Sequence, residues 1–66
     1  MIRDRIFSPL IHAVSYDAGM QIMIVEFTDG SLKYHMPVLY DIYRSIVHSR
    51  FPEKNYHQLL RAHILA

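Results

Sequence analysis

Met20-Gln21-Ile22-Met23-Ile24-Val25-Glu26-Phe27-Thr28-Asp29-Gly30-Ser31-Leu32-Lys33-Tyr34-His35-Met36 reads as two strands joined at Asp29-Gly30. Asp-Gly between alternating apolar residues signals a hairpin, because a two-residue type I′ turn needs positive φ that Gly tolerates and Asp accepts. With Thr28 opposite Ser31, the pairs are Phe27 with Leu32, Glu26 with Lys33, Val25 with Tyr34, Ile24 with His35 and Met23 with Met36. Side chains alternate faces along a strand. One face then carries Met23, Val25, Phe27, Leu32, Tyr34 and Met36, and is the expected core face. The other carries Ile22, Ile24, Glu26, Lys33 and His35, an opposite-charge pair beside an isoleucine patch.

Upstream, Leu10 to Tyr16 favours a strand through Ile11, Val14 and Tyr16, and Asp17-Ala18-Gly19 closes it with turn residues. Two registers are open: a two-residue loop pairs Val14 with Met23, and a three-residue loop pairs Ala13 with Met23 and Ile11 with Val25. A slip of one residue moves every side chain to the other face. Residues 1–9, with Arg3 and Arg5 ahead of Ser8-Pro9, read as an N-terminal arm, since Pro9 biases Ser8 toward extended backbone. Ile2, Ile6 and Phe7 require that arm to pack on something, in its own domain or a neighbour.

Downstream, Pro37 stops the third strand and suits the first turn of a helix. Leu39, Ile42, Tyr43, Ile46 and Val47 then recur at the spacing of one amphipathic stripe, over a helix from about Pro37 to Ser49. Pro52-Glu53-Lys54 starts a second helix, with Tyr56, Leu59, Leu60, His63 and Ile64 on its apolar side. The expected architecture is α+β: an N-terminal arm over 1–9, then a β-β-β-α-α domain over 10–66 whose three-stranded antiparallel meander carries two helices on one face.

With 66 residues and no cysteine, one small core has neither disulfide nor thiolate-metal support, which makes a homo-oligomer the expected staple. The candidate interface is Ile2, Ile6, Phe7, Ile22 and Ile24. Net charge is +1, too small to dictate a polyanionic partner, yet residues 44–66 set Arg44, Arg50, Lys54 and Arg61 against Glu53 alone. No apolar run approaches the roughly 18–20 residues of a membrane span and the start lacks a signal-peptide core, so a cytoplasmic protein with no membrane partner is expected.

Catalytic and metal chemistry find no foothold in the pattern. The five histidines fall in neither His-x-His nor His-Glu-x-x-His spacing, and His57 and His63 miss the i,i+4 step. Asp17 and Asp29 belong to turns at opposite ends of the central strand, no serine sits in a nucleophile elbow, and two glycines are too few for a phosphate loop. No enzyme and no cofactor are expected. Base-stacking tyrosines next to cations are a different matter, since single-stranded nucleic-acid sites use that combination. The candidates are Lys33, Tyr34, Tyr40, Arg44, Arg50, Lys54 and Arg61, with Tyr43 and Tyr56 assigned to core stripes.

Ser8 with Ile11, Val14-Ser15-Tyr16-Asp17, Met23-x-Val25-x-Phe27 leading to Gly30, the strand ending at Pro37, Tyr43 and Arg61 together resemble the KTSC domain. That short module occurs alone in bacterial and phage proteins and at the C-terminus of some lysyl-tRNA synthetases, and the resemblance runs from Ser8 to Leu65. The family's central Tyr-x-Tyr stands here as Leu32-Lys33-Tyr34, and Pro52-Glu53-Lys54 is an insertion relative to its closing run. The resemblance implies a small non-enzymatic module that binds RNA or a nucleotide. The alternative is a protein–protein interaction module acting as a homo-oligomer.

Overall fold

The computed structural model describes residues 1–61. The elements run β1 (Ile2–Arg5), β2 (Ile11–Asp17), β3 (Ile22–Phe27), β4 (Leu32–His35), α1 (Tyr40–Val47) and α2 (Pro52–Arg61). The strands form one antiparallel sheet in the order β1-β2-β3-β4, so the class is α+β, with four strands where three were expected. The fourth is the N-terminal segment. Residues 2–5 are no loose arm but an edge strand paired with β2, Ile2 opposite Tyr16 and Arg5 opposite Ala13. Three charged residues in a row hid it, yet alternation explains each: Asp4 lies on the helix side and accepts a hydrogen bond from the Tyr43 hydroxyl, while Arg3 and Arg5 lie on the open side.

The central hairpin forms with its register moved by one residue. Phe27 N–H donates to the Ser31 carbonyl at 2.9 Å and Gly30 N–H to the Phe27 carbonyl at 3.0 Å, which closes a three-residue loop, Thr28-Asp29-Gly30. Gly30 alone takes positive φ there, +91°. Asp29 keeps ordinary backbone and uses its carboxylate instead, accepting the Ser31 N–H at 2.9 Å and the Ser31 hydroxyl at 2.6 Å. The pairs are therefore Glu26 with Leu32, Val25 with Lys33, Ile24 with Tyr34 and Met23 with His35. This slip turns β4 over. Leu32 and Tyr34 leave the expected core face for the open one, where Tyr34 is 64% exposed, and His35 enters the core at 3%. Lys33 moves to the helix side but stays exposed on the edge strand.

The first hairpin takes neither expected register. Val14 faces Val25, Tyr16 faces Met23 and Asp17 faces Ile22, across a loop whose Asp17 carboxylate accepts the Gly19 and Met20 N–H groups. A bulge at His12 then brings Ile11 opposite Phe27 and keeps both toward the helices. Helix α1 begins at Tyr40 rather than near Pro37, because Val38 is buried in the core and Leu39 is an extended N-cap. The Val38 N–H donates to the Gln21 carbonyl at 2.8 Å and its carbonyl accepts the Tyr16 hydroxyl at 2.6 Å. Helix α2 starts at Pro52, as its sequence requires. His63 and Ile64 of its apolar stripe lie outside the described residues.

Both helices cover one sheet face. The core joins Ile6, Ile11, Val14, Tyr16, Met23 and Val25 to Val38, Tyr43, Ile46 and Tyr56, confirming the helical assignment of Tyr43 and Tyr56. The Tyr16 and Tyr43 rings stack at 5.1 Å, and the Tyr56 hydroxyl meets His35 Nε2 at 2.7 Å. Burial raises the Tyr56 hydroxyl above its ordinary pKa, and burial, then the Asp4 carboxylate, does the same for Tyr43. No helix among the described residues is long and apolar enough to cross a membrane.

Candidate functional site

On the sheet face away from the helices, Arg3 Nε meets Glu26 Oε2 at 2.9 Å. The expected partner of Glu26, Lys33, is on the other side of the sheet. Arg3 stands opposite Ser15 and Glu26 opposite Ala13, so the ion pair crosses β2 and covers both small residues, which are buried although no helix lies over them. The β3–β4 half carries Ile22, Ile24, Leu32 and Tyr34 with no such cover.

A concavity with a different chemistry lies where two connections meet. One wall is the segment from β1 to β2, residues 5–9; the other is the segment from α1 to α2 with the start of α2, residues 47–54. A cavity of ≈ 280 Å³ is lined by Phe7, Pro9, Phe51, Pro52 and Lys54, among others. A neighbouring one of ≈ 200 Å³ is lined by Arg5, Val47, Ser49 and Arg50, and the two share Phe7, Arg50 and Pro52. Phe7 is 93% exposed and Phe51 66%, an expense of apolar surface that packing within the chain does not explain.

Local sequence fixes both walls. Ser8 Oγ accepts the N–H groups of Leu10 at 3.1 Å and Ile11 at 3.2 Å, a serine turn that sets the Phe7-Ser8-Pro9 wall. Thr28 pins the same wall, its hydroxyl donating to the Pro9 carbonyl at 2.8 Å and its N–H to the Leu10 carbonyl at 2.9 Å. Opposite, Ser49 Oγ accepts the Phe51 N–H at 2.9 Å. Asn55 Nδ2 donates to the Ser45 carbonyl at 3.0 Å, holding the start of α2 against α1. The His12 bulge contributes as well. Its carbonyl accepts Ile6 N–H at 2.9 Å and Arg5 Nε at 3.2 Å, and the anchored guanidinium lies 5.8 Å from the Phe7 ring centre.

The electrostatics follow from the same residues. Arg5, Arg50 and Lys54 border the two cavities with Glu53 as the acid among their lining, and among the described residues the ion pair is elsewhere, at Arg3 and Glu26. Arg5 spends Nε on the backbone and keeps its terminal nitrogens, although it also lies within electrostatic reach of Glu26. Among the described residues no three of His, Asp and Glu gather closely enough to hold a metal.

The structure gathers part of the sequence-derived set. Arg50 and Lys54 meet in the cleft. Tyr40 and Arg44 pair with each other on α1, 6.0 Å from ring centre to guanidinium, and the Tyr40 ring rests 5.7 Å from Tyr16, which makes it a lid on the core. Lys33 and Tyr34 point to opposite faces of β4, and Arg61 lies in the last turn of α2. The candidate interface disperses too. Ile6 is buried in the chain's own core, Ile2 is on the helix side of β1, Ile22 and Ile24 are half-buried on the open face, and Phe7 is in the cleft. Arg5, Phe7 and Phe51 are the cleft residues that the nucleic-acid reading of the sequence missed. Phe51-Pro52 next to Arg50 and Lys54 was the available signal, an aromatic in a basic turn with no periodic partner. No family model matches the chain, and no curated protein matches it.

Proposed function

We propose that this protein is a small binding module for single-stranded nucleic acid, and that the cleft between residues 5–9 and 47–54 is its site. One observation carries the reading: two exposed phenylalanine rings and three cations line adjoining cavities whose walls are held mainly by side-chain hydrogen bonds to the backbone. Stacking on an aromatic ring accepts any base, while cations take the phosphates beside it. A preformed wall also lowers the ordering cost of binding. The KTSC resemblance supports the same class, although of its Tyr-x-Tyr only Tyr34 is kept and the rings in the cleft are Phe7 and Phe51.

The test is fluorescence anisotropy with a labelled single-stranded RNA at several salt concentrations. Contacts by Arg5, Arg50 and Lys54 predict a log–log salt slope of about −2, from roughly −0.7 per phosphate on a single strand, or an about 20-fold loss between ~50 and ~200 mM salt. Changing Arg50 and Lys54 together to Glu should abolish binding, since both sites are exposed and tolerate the exchange structurally. No binding by the wild type at low salt overturns the proposal. Binding indifferent to salt overturns it too, and moves the function to a protein partner.

A further inference from the structure

Resting on the nucleic-acid reading above, we infer that the cleft seats one nucleotide unit in a single orientation, with its base in the Phe7–Phe51 cavity and its phosphate in the Arg5–Arg50 cavity. The two compartments differ in chemistry. The first has two aromatic rings and two prolines, Pro9 and Pro52, which offer flat apolar walls to a heterocycle. The second has two guanidiniums and the Ser49 hydroxyl group, on a floor of Ile6 and Val47. Guanidinium groups bind phosphate oxygens in pairs through their planar fork of N–H donors.

The size of the two cavities suits one nucleotide unit. The cavities, ≈ 280 and ≈ 200 Å³, fall at or below the small end of the roughly 300–1,000 Å³ typical of ligand pockets. Their shared border, Phe7, Arg50 and Pro52, places base and phosphate sites next to each other, as they are within a nucleotide. The orientation follows from the difference between the cavities, with Arg5 lining the second alone: its Nε donates to the His12 carbonyl, which leaves its terminal nitrogens to a phosphate. The unit is either a free nucleoside monophosphate or one residue of a strand, and both present the same base and phosphate.

Chemical-shift titration of the isotope-labelled full chain separates the parts, using adenosine 5′-monophosphate, adenosine, inorganic phosphate, and an oligoadenylate without a terminal phosphate. The monophosphate is expected to bind at least about 10-fold more tightly than adenosine or phosphate alone, with shifts at Phe7, Phe51 and the 49–50 amides. Phe51→Ala should weaken the monophosphate by about 5- to 150-fold, the range for losing one stacked base, and leave phosphate unchanged. Arg50→Ala should weaken the monophosphate by a larger factor than it weakens adenosine, because it removes one of the two guanidiniums of the phosphate cavity. Phe51 and Arg50 are exposed, so both variants keep the fold, and an unchanged amide spectrum away from the cleft verifies it. If the oligoadenylate binds but the monophosphate binds no more tightly than adenosine, the single-nucleotide seat is wrong and the nucleic-acid reading survives. If the oligoadenylate fails as well, both fall. Binding of the monophosphate with the variant effects exchanged would refute the orientation alone, and with it this inference.

Discussion

Replacing Tyr16 with Phe removes one oxygen atom from the centre of the protein and tests how the β4–α1 connection is held. Tyr16 is 1% exposed, and its hydroxyl donates at 2.6 Å to the carbonyl of Val38, itself fully buried. The aromatic packing on Tyr43 and Tyr40 is unaffected by the exchange, so apolar burial stays constant and the hydrogen bond is isolated. A net hydrogen bond contributes about 0.5–1.5 kcal/mol, and leaving a buried acceptor unmet costs about 1–3 kcal/mol. The Val38 carbonyl would be left in that position, so the expected loss is about 1–2 kcal/mol.

For a domain of this size each kcal/mol is worth about 4–8 °C in Tm, so the midpoint should fall by about 5–15 °C. Thermal unfolding followed by circular dichroism measures that shift, and urea unfolding measures the free energy, with its midpoint lowered and the m-value unchanged. Tyr34→Phe is the matched control, since Tyr34 is exposed on the open face and its hydroxyl has no partner among the described hydrogen bonds. A loss below about 0.5 kcal/mol for Tyr16→Phe, or one equal to the control, would show that the hydroxyl does not hold Val38.

Two further expectations follow from the turns and the exposed charges. Gly30→Ala should destabilise by about 1–2 kcal/mol from left-handed backbone strain alone, since a Cβ there would meet nothing within 4 Å; an unchanged urea midpoint would refute the left-handed backbone at Gly30. The Asp29 carboxylate is held below its ordinary pKa by the Ser31 hydroxyl and then the Ser31 N–H, and Glu26 by its hydrogen bonds from Arg3. Depressed carboxylates stabilise the fold above their unfolded values, about pH 4, and lose that contribution as pH falls through the folded ones. Ser31→Ala and Arg3→Gln should therefore each flatten the acid limb of Tm against pH, and a limb parallel to the wild type would contradict the assignment.

What the sequence disclosed and what it hid divide by the range of the interaction that decides each feature. The stripe Tyr43-Ile46 and the start of α2 at Pro52 were legible because helical spacing and the missing proline N–H act within one turn. The hairpin was legible as a hairpin, but its faces were not, because one loop residue sets the parity of all of β4. Asp-Gly alone does not distinguish a two-residue from a three-residue loop. Ser31 does, since a hydroxyl two residues after the aspartate gives the carboxylate a second donor and removes the need for positive φ at Asp29. His35 bore the same message from the other end: buried beside Tyr56, it meets the phenol of a helix whose register the spacing had already given.

The cleft was harder to read for a related reason, because its two walls are about 40 residues apart in the chain and neither has a period. What brings them together is β1. Once residues 2–5 join the sheet, the chain must turn through Ile6–Pro9 at the end where β2 begins, and Ile6 enters the core while Phe7, next in line, is directed outward. The same end receives the α1–α2 connection, where Pro52 forces a break and Phe51 is again the residue left outside. Both phenylalanines are thus placed by their neighbours' constraints: a buried isoleucine before one and a helix-starting proline after the other. The bulge at His12 completes the arrangement by freeing a carbonyl for Arg5. An apolar pair produced by such constraints could have been filled with polar residues at no loss to the core, since neither ring belongs to it. That two rings stand there, beside three cations, is what supports the proposal that the cleft binds a ligand.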